Sequence, residues 1–169
     1  MYFYGQGSDI VEEVSEFHTV RGYQLLEQNK KLLTSAMEDY LEMIYRNSLK
    51  EGYMRINTLS ELLNVAAPSA TKMVQKLSRM GLLDYKKYGI IFLTENGREI
   101  GEFLLYRHNI IECFLKNLGV VDNILVETEL IEHNISDTTL KRMSIFNSFV
   151  NRNPELINKF RLFSEQSME

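Results

Sequence analysis

The sequence predicts a mostly α-helical fold in which a winged helix-turn-helix precedes an all-helical region. Long apolar repeats of helical period dominate the chain. Two short β-rich runs, Leu82–Tyr85 and Ile90–Leu93, lie between two of the strongest helical patterns. Positive charge gathers between residues 50 and 90, where seven Lys or Arg and three Asp or Glu stand in a chain of net charge −4. A basic block inside an acidic chain suggests one surface for an anion and a different task elsewhere.

Taken in order, residues 9–30 read as helical, with Ile10, Val14 and Phe17 on one side and Gly22 as a point of interruption. Ser35 and Glu38 have capping-box spacing and open a helix to about Asn47, with Met37, Leu41, Ile44 and Tyr45 near one face. Thr58 and Glu61 repeat that signature before Leu59, Leu62 and Leu63. After a break at Asn64–Ala67, Pro68 suits the first position of a helix that buries Ala70, Met73, Val74, Leu77 and Met80. Gly81 terminates it. The two strand-like runs are joined by Lys86-Lys87-Tyr88-Gly89. Thr94 then caps a helix over Glu95–Leu118, stopped by Gly119, with Ile100, Leu104, Ile111 and Leu115 in its buried stripe. Further helices are expected at about 122–134, 137–151 and 155–165.

Composition narrows the function. With 169 residues, 44% hydrophobic and 25% charged, the chain suits one globular domain, or two small ones sharing a core. Its longest clean apolar run, Ile90–Leu93, is far too short to cross a bilayer, and the first residues lack the pattern of a secretion signal. Cys113 is the single cysteine, which excludes an intrachain disulfide and a cysteine zinc cluster. Beside Phe114 and Leu115 it reads as a buried thiol rather than a redox sensor. A cytoplasmic protein with no membrane partner is expected.

Helix, helix, turn, helix and hairpin, with matching charge, point to double-stranded DNA. The helix at Pro68 turns its apolar series inward and leaves Ser69, Thr71, Lys72, Gln75, Lys76 and Arg79 outside. Hydroxyls, lysines and arginine suit phosphates, and Gln75 suits a base edge. Lys86, Lys87 and Tyr88 at the hairpin tip suit the backbone beside the groove.

The acidic remainder carries a second pattern. Asp39 and Glu42 lie three apart on one helix, and Glu129, Glu132 and His133 stand at i, i+3 and i+4 on another. His108 lies among apolar neighbours, where a charged imidazolium is costly. Each alone also fits a plain role: Asp39 at its helix N-terminus, Glu129 with His133 as a surface pair, His108 as a hydrogen-bonded core residue. Together, four carboxylates and two imidazoles without a thiolate suit Mn²⁺ or Fe²⁺ rather than structural zinc. Two divalent ions per subunit would balance the four negative charges.

Met37–Tyr45, Thr71–Leu77, Tyr106-Arg107-His108 and Glu129–His133 together resemble the manganese-responsive repressors of the diphtheria-toxin-repressor family, over roughly residues 34–165. The resemblance implies a winged-helix DNA-binding domain at 34–94 and a helical metal-binding and dimerisation domain at 95–169, behind an N-terminal extension, 1–33, expected to be partly helical. It implies a homodimer on a DNA operator, repressing metal-uptake genes when metal is plentiful. The family's ligands fall on Asp39, Glu42, His108, Glu129, Glu132 and His133. Iron-responsive relatives place methionine at the position of Asp39 and cysteine at that of Glu129, so manganese is the expected effector and iron the second. The chain departs from the pattern at Asn134, where manganese members often have a second histidine. It also ends near residue 169, leaving no room for the SH3-like domain of many iron members.

Two other classes remain open at this point. A two-metal enzyme uses similar donors, but the two E-x-x-H segments of a ferritin-like bundle, an H-E-x-x-H, a phosphate loop and a G-x-S-x-G elbow are all absent, so no enzymatic activity is expected. A winged-helix regulator sensing a small organic ligand would keep DNA binding and discard the metal.

Overall fold

The computed structural model describes residues 20–29 and 32–167. Helices dominate it, with one small sheet, as the sequence predicts. The chain divides into two compact units, 1–105 and 106–169.

In the first unit, residues 20–29 form helix α1. The earlier part of the expected N-terminal helix, with Ile10, Val14 and Phe17, lies outside the described residues. Gly22 does not interrupt α1. A Cβ there would sit 2.2 Å from the Glu99 carbonyl oxygen, so glycine is what lets this helix approach so closely. Arg21 Nε reaches the buried Glu99 carboxylate at 3.0 Å, and the Tyr23 and Phe103 rings meet edge to face.

Helix α2 (Ser35–Glu51) starts one residue earlier than the capping-box reading places it. Thr34 is the N-cap and makes no side-chain capping bond, so Ser35 is already in the first turn. Met37, Leu41 and Ile44 are fully buried, and Gly52 ends the helix at φ 76°. A two-residue strand β1 (Met54–Arg55) follows and runs straight into α3 (Ile56–Leu62), whose N-cap is Arg55. Thr58 is therefore inside α3 and not its cap. Helix α4 (Ala67–Arg79) has Pro68 in its second position, where the missing N–H is harmless. Its fully buried residues are Ala70, Val74 and Leu77, while Met73 and Met80 are half-buried.

Strands β2 (Leu83–Lys86) and β3 (Ile90–Leu93) pair antiparallel, and β1 adds to the other edge of β3, giving the order β1-β3-β2. Helix α2 packs against α3, α4, β1 and β3, so it backs those two helices and two of the three strands of this unit. Tyr45 of α2 titrates above the usual phenol range, through burial first and the charge of Glu102 second, with Arg98 opposing.

Helix α5 (Glu95–Leu118) matches the expected span. The Thr94 hydroxyl accepts the Gly97 amide at 3.1 Å and donates to the Gly81 carbonyl at 2.7 Å. One side chain thus caps α5 and ties it to the exit of α4. Thr94→Ala should cost about 1 kcal/mol, read as a lower urea midpoint at unchanged slope.

The second unit holds the end of α5 with α6 (Ile124–Glu132), α7 (Asp137–Arg152) and α8 (Pro154–Ser167). Ser136 caps α7 by accepting the Thr139 amide at 3.3 Å. Phe114 and Phe146 meet edge to face, 5.4 Å between centroids. Beside them the buried Asn147 donates to the Ile110 carbonyl at 2.9 Å and accepts from Asn117 at 3.0 Å. Asn147→Ala leaves buried polar groups without partners and should lower stability by about 1–3 kcal/mol in the same measurement.

Candidate metal centre

Helix α6 and the second half of α5 supply three of the expected ligands in one place. His108 lies on α5 in its buried stripe, and Glu132 ends α6, with His133 as the residue that closes that helix. His108 Nδ1 stands 3.0 Å from Glu132 Oε2, and both side chains are almost fully buried. An ionised carboxylate only accepts, so a neutral His108 in this pair donates from Nδ1 and has its lone pair on Nε2. The other carboxylate oxygen, Oε1, is 3.8 Å from His133 Nε2. A carboxylate 2% exposed beside two imidazoles is a costly arrangement to build for stability alone. Oxygen and nitrogen donors without sulfur fit a divalent cation of the Mn²⁺ and Fe²⁺ type.

Glu129 is on α6 as expected but exposed, outside this trio. It lies one turn nearer the start of the helix. In the first unit, Asp39 is half-buried on α2 and Glu42 is buried. Glu42 Oε1 accepts a 2.6 Å bond from Arg46 Nη2. The sequence reading missed Arg46; its i, i+4 spacing from Glu42 was the available signal.

The expected DNA-reading residues share the outer side of the first unit's helix α4. Pro68, Ser69, Lys72, Gln75, Lys76 and Arg79 are exposed and Thr71 is half-buried, its hydroxyl donating to the Ala67 carbonyl at 2.9 Å. Arg79 Nε donates back to the Gln75 carbonyl at 3.3 Å. Lys86 and Lys87 are exposed at the hairpin, where Lys86 Nζ pairs with Asp84 at 2.6 Å.

A winged helix carrying a basic reading helix, and a helical unit carrying a buried carboxylate–imidazole cluster, define a metal-dependent DNA-binding regulator. The chain belongs to the iron-dependent repressor family. Residues 32–91 match its N-terminal DNA binding domain and residues 94–160 its metal binding and dimerisation domain. The chain is 45% identical over 111 residues to the HTH-type transcriptional regulator MntR of Oceanobacillus iheyensis, covering 65% of this chain and 76% of that protein. MntR of Lysinibacillus sphaericus is 37% identical, across 79% of this chain and 96% of the relative. Among solved structures, the manganese regulator SloR superposes with a TM-score of 0.61 at 33% identity, covering 69% of this chain. The metal-dependent transcriptional regulator MtsR gives 0.62 at 29%, again over 69% of the chain. This chain spans 55% of the length of each of those two structures. Membership makes the protein a transcriptional regulator and not an enzyme. No described helix is long and apolar enough to cross a membrane.

Proposed function

We propose that the protein is a cytoplasmic, Mn²⁺-activated repressor of metal-uptake genes. In this reading residues 34–94 read DNA and 95–169 bind metal and dimerise. Asp39, Glu42, His108, Glu129, Glu132 and His133 are the ligands of two ions per subunit, with Fe²⁺ as the second effector. The observation that carries it is the buried Glu132 carboxylate, hydrogen-bonded to His108 with His133 Nε2 3.8 Å from its other oxygen. The names of the relatives, manganese regulators among them, support the choice of ion. Bound there, Mn²⁺ supplies the positive charge that lets several carboxylates share one site.

The chain's own residues do the rest. Arg46 holds the Glu42 carboxylate until a cation competes for it. Asp39 and Glu42 stand on α2, which packs on α3 and α4, so restraining these carboxylates restrains the reading helix. In a two-fold dimer the two α4 helices must meet major grooves a helical turn apart or a multiple of it, about 34–36 Å per turn. Ligation through Asp39 and Glu42 makes that spacing depend on metal, a population shift worth about 1–3 kcal/mol. Exposed apolar side chains of the second unit, Val121 (79%) and Leu130 (64%) among them, suit burial against a second copy.

The test is fluorescence anisotropy on a labelled duplex from the protein's own upstream region, at fixed salt, with Mn²⁺ and then chelator. Tight binding lost on chelation is expected. Equal affinity in both states would instead support a winged-helix regulator that senses something other than metal.

A further inference from the structure

The tip of the β2–β3 hairpin carries a feature that the reading helix does not explain. Lys87–Gly89 form a single 3-10 turn in which Tyr88 adopts φ 64°, ψ 21°. A bulky side chain there is strained, and glycine is the residue the backbone prefers. Yet the ring gains no packing in return: Tyr88 is 92% exposed, more than any other large apolar or aromatic side chain described. The turn itself is held. Gly89, also at positive φ, lies so close to α3 that a Cβ would come within 2.6 Å of Ile56 Cγ2. The ring is therefore presented outward from an anchored turn.

Its neighbours are cationic. Lys86 is neutralised by Asp84, whereas Lys87 makes no salt bridge among the described residues. A single unneutralised lysine beside a protruding phenol matches a nucleic-acid backbone with an adjacent groove. The lysine meets a phosphate, and the ring packs on sugar and base edges. The narrow groove offers only the acceptors A N3 and T O2 at A·T pairs, while G·C adds an amino group that obstructs. A phenol hydroxyl can donate to either acceptor.

We propose that Tyr88 enters the minor groove flanking the major-groove site of α4, and there selects A·T over G·C. This rests on the DNA-binding reading above and extends it to positions that α4 does not reach. Lys87 holds the adjacent phosphate, and Gly89 against Ile56 sets the depth of the tip.

The experiment uses the full-length Mn²⁺-loaded protein and a duplex it selects from a random pool. Flanking A·T pairs are replaced by G·C or by inosine·C, which keeps the A·T minor-groove pattern but changes the major groove. Wild type should bind A·T and inosine·C alike, and G·C about 5- to 20-fold more weakly. Tyr88→Gly suits φ 64°, so the hairpin stays folded and an unchanged urea midpoint checks it. This variant should lose about 5- to 20-fold in affinity and become indifferent to the flanking pair. Tyr88→Phe should keep most of the affinity and a smaller A·T preference than wild type, because the hydroxyl's bond is lost while the guanine amino group still obstructs the ring. Wild-type binding with Tyr88→Gly equal to it in affinity and preference would overturn the proposal while leaving the DNA-binding reading intact. A flanking preference that distinguishes inosine·C from A·T would also overturn it, because the readout would lie in the major groove. Failure of wild type to select any duplex would overturn both readings.

Discussion

Glu132→Gln should abolish the response to metal while leaving the helical unit folded. The amide is nearly isosteric, and its carbonyl still accepts the bond from His108 Nδ1 that the carboxylate accepts at 3.0 Å. What it loses is the charge. Substitution of groups that merely orient a ligand costs about 10- to 100-fold in metal affinity, so removing Glu132, a direct ligand in the proposed centre, should cost about 100-fold or more. Isothermal titration with Mn²⁺ reads that loss, and anisotropy should show the variant binding DNA equally with metal and with chelator. A second readout separates ligation from damage. Wild type should gain about 2.7 kcal/mol of unfolding free energy when Mn²⁺ stands at a hundred times its Kd, and the variant almost nothing. In chelator the variant should be as stable as wild type or more so, because a neutral amide relieves the cost of a carboxylate that is 2% exposed. Glu129→Gln provides the contrast. Glu129 is exposed and outside the buried trio, so its loss should weaken Mn²⁺ binding less than the loss of Glu132 does. An unaltered metal response in Glu132→Gln would remove the proposed centre.

How much of this was legible in advance depended on whether the signal was local. Helix α5 was read to its true ends because Thr94 and Gly119 are caps in their own right, and its stripe of Ile100, Leu104, Ile111 and Leu115 is buried throughout. The starts of α2 and α3 were misread for different reasons. Thr34 and Ser35 are adjacent residues of similar capping tendency, and spacing to Glu38 favoured the wrong one. Before α3 the cause is tertiary: Met54 and Arg55 are held extended by pairing with Ile91 and Ile90, which no two-residue pattern reveals. Gly22 has the same lesson in another form, since its role comes from Glu99, far along the chain. Within the expected metal pattern, i, i+3, i+4 spacing puts Glu129, Glu132 and His133 on one side of a helix, but it carries no information about depth. Glu129 shares their side of α6 and lies a turn, about 5.4 Å, closer to the helix start, where the chain leaves it exposed.

Lys72→Ala and Gln75→Ala should both weaken DNA binding, in ways that a single affinity would confuse and a salt series separates. Both side chains are exposed on α4, opposite Ala70, Val74 and Leu77, which are fully buried and fix the helix on the unit. Truncating either therefore removes an outward group without opening the core. A lysine meets phosphate as a point charge. Losing one such contact should weaken all duplexes alike and reduce the slope of log affinity against log salt by about 0.9. Gln75 carries no charge, so the slope should not change. Its amide can pair with both N7 and N6 of adenine, and discrimination at that pair is worth about 1–3 kcal/mol, or about 5- to 150-fold between right and wrong base. The backbone at Gln75 is further held by Arg79, whose Nε donates to the Gln75 carbonyl at 3.3 Å, so the glutamine is presented from a supported turn. The expected pattern is thus lower affinity with intact specificity for Lys72→Ala, and relaxed specificity at one position with an intact slope for Gln75→Ala. Anisotropy at several salt concentrations on the selected duplex and its single-pair variants measures both. If Gln75→Ala instead lowered the slope and left every base preference in place, this outer face would be a phosphate clamp, and sequence would be read elsewhere on the unit.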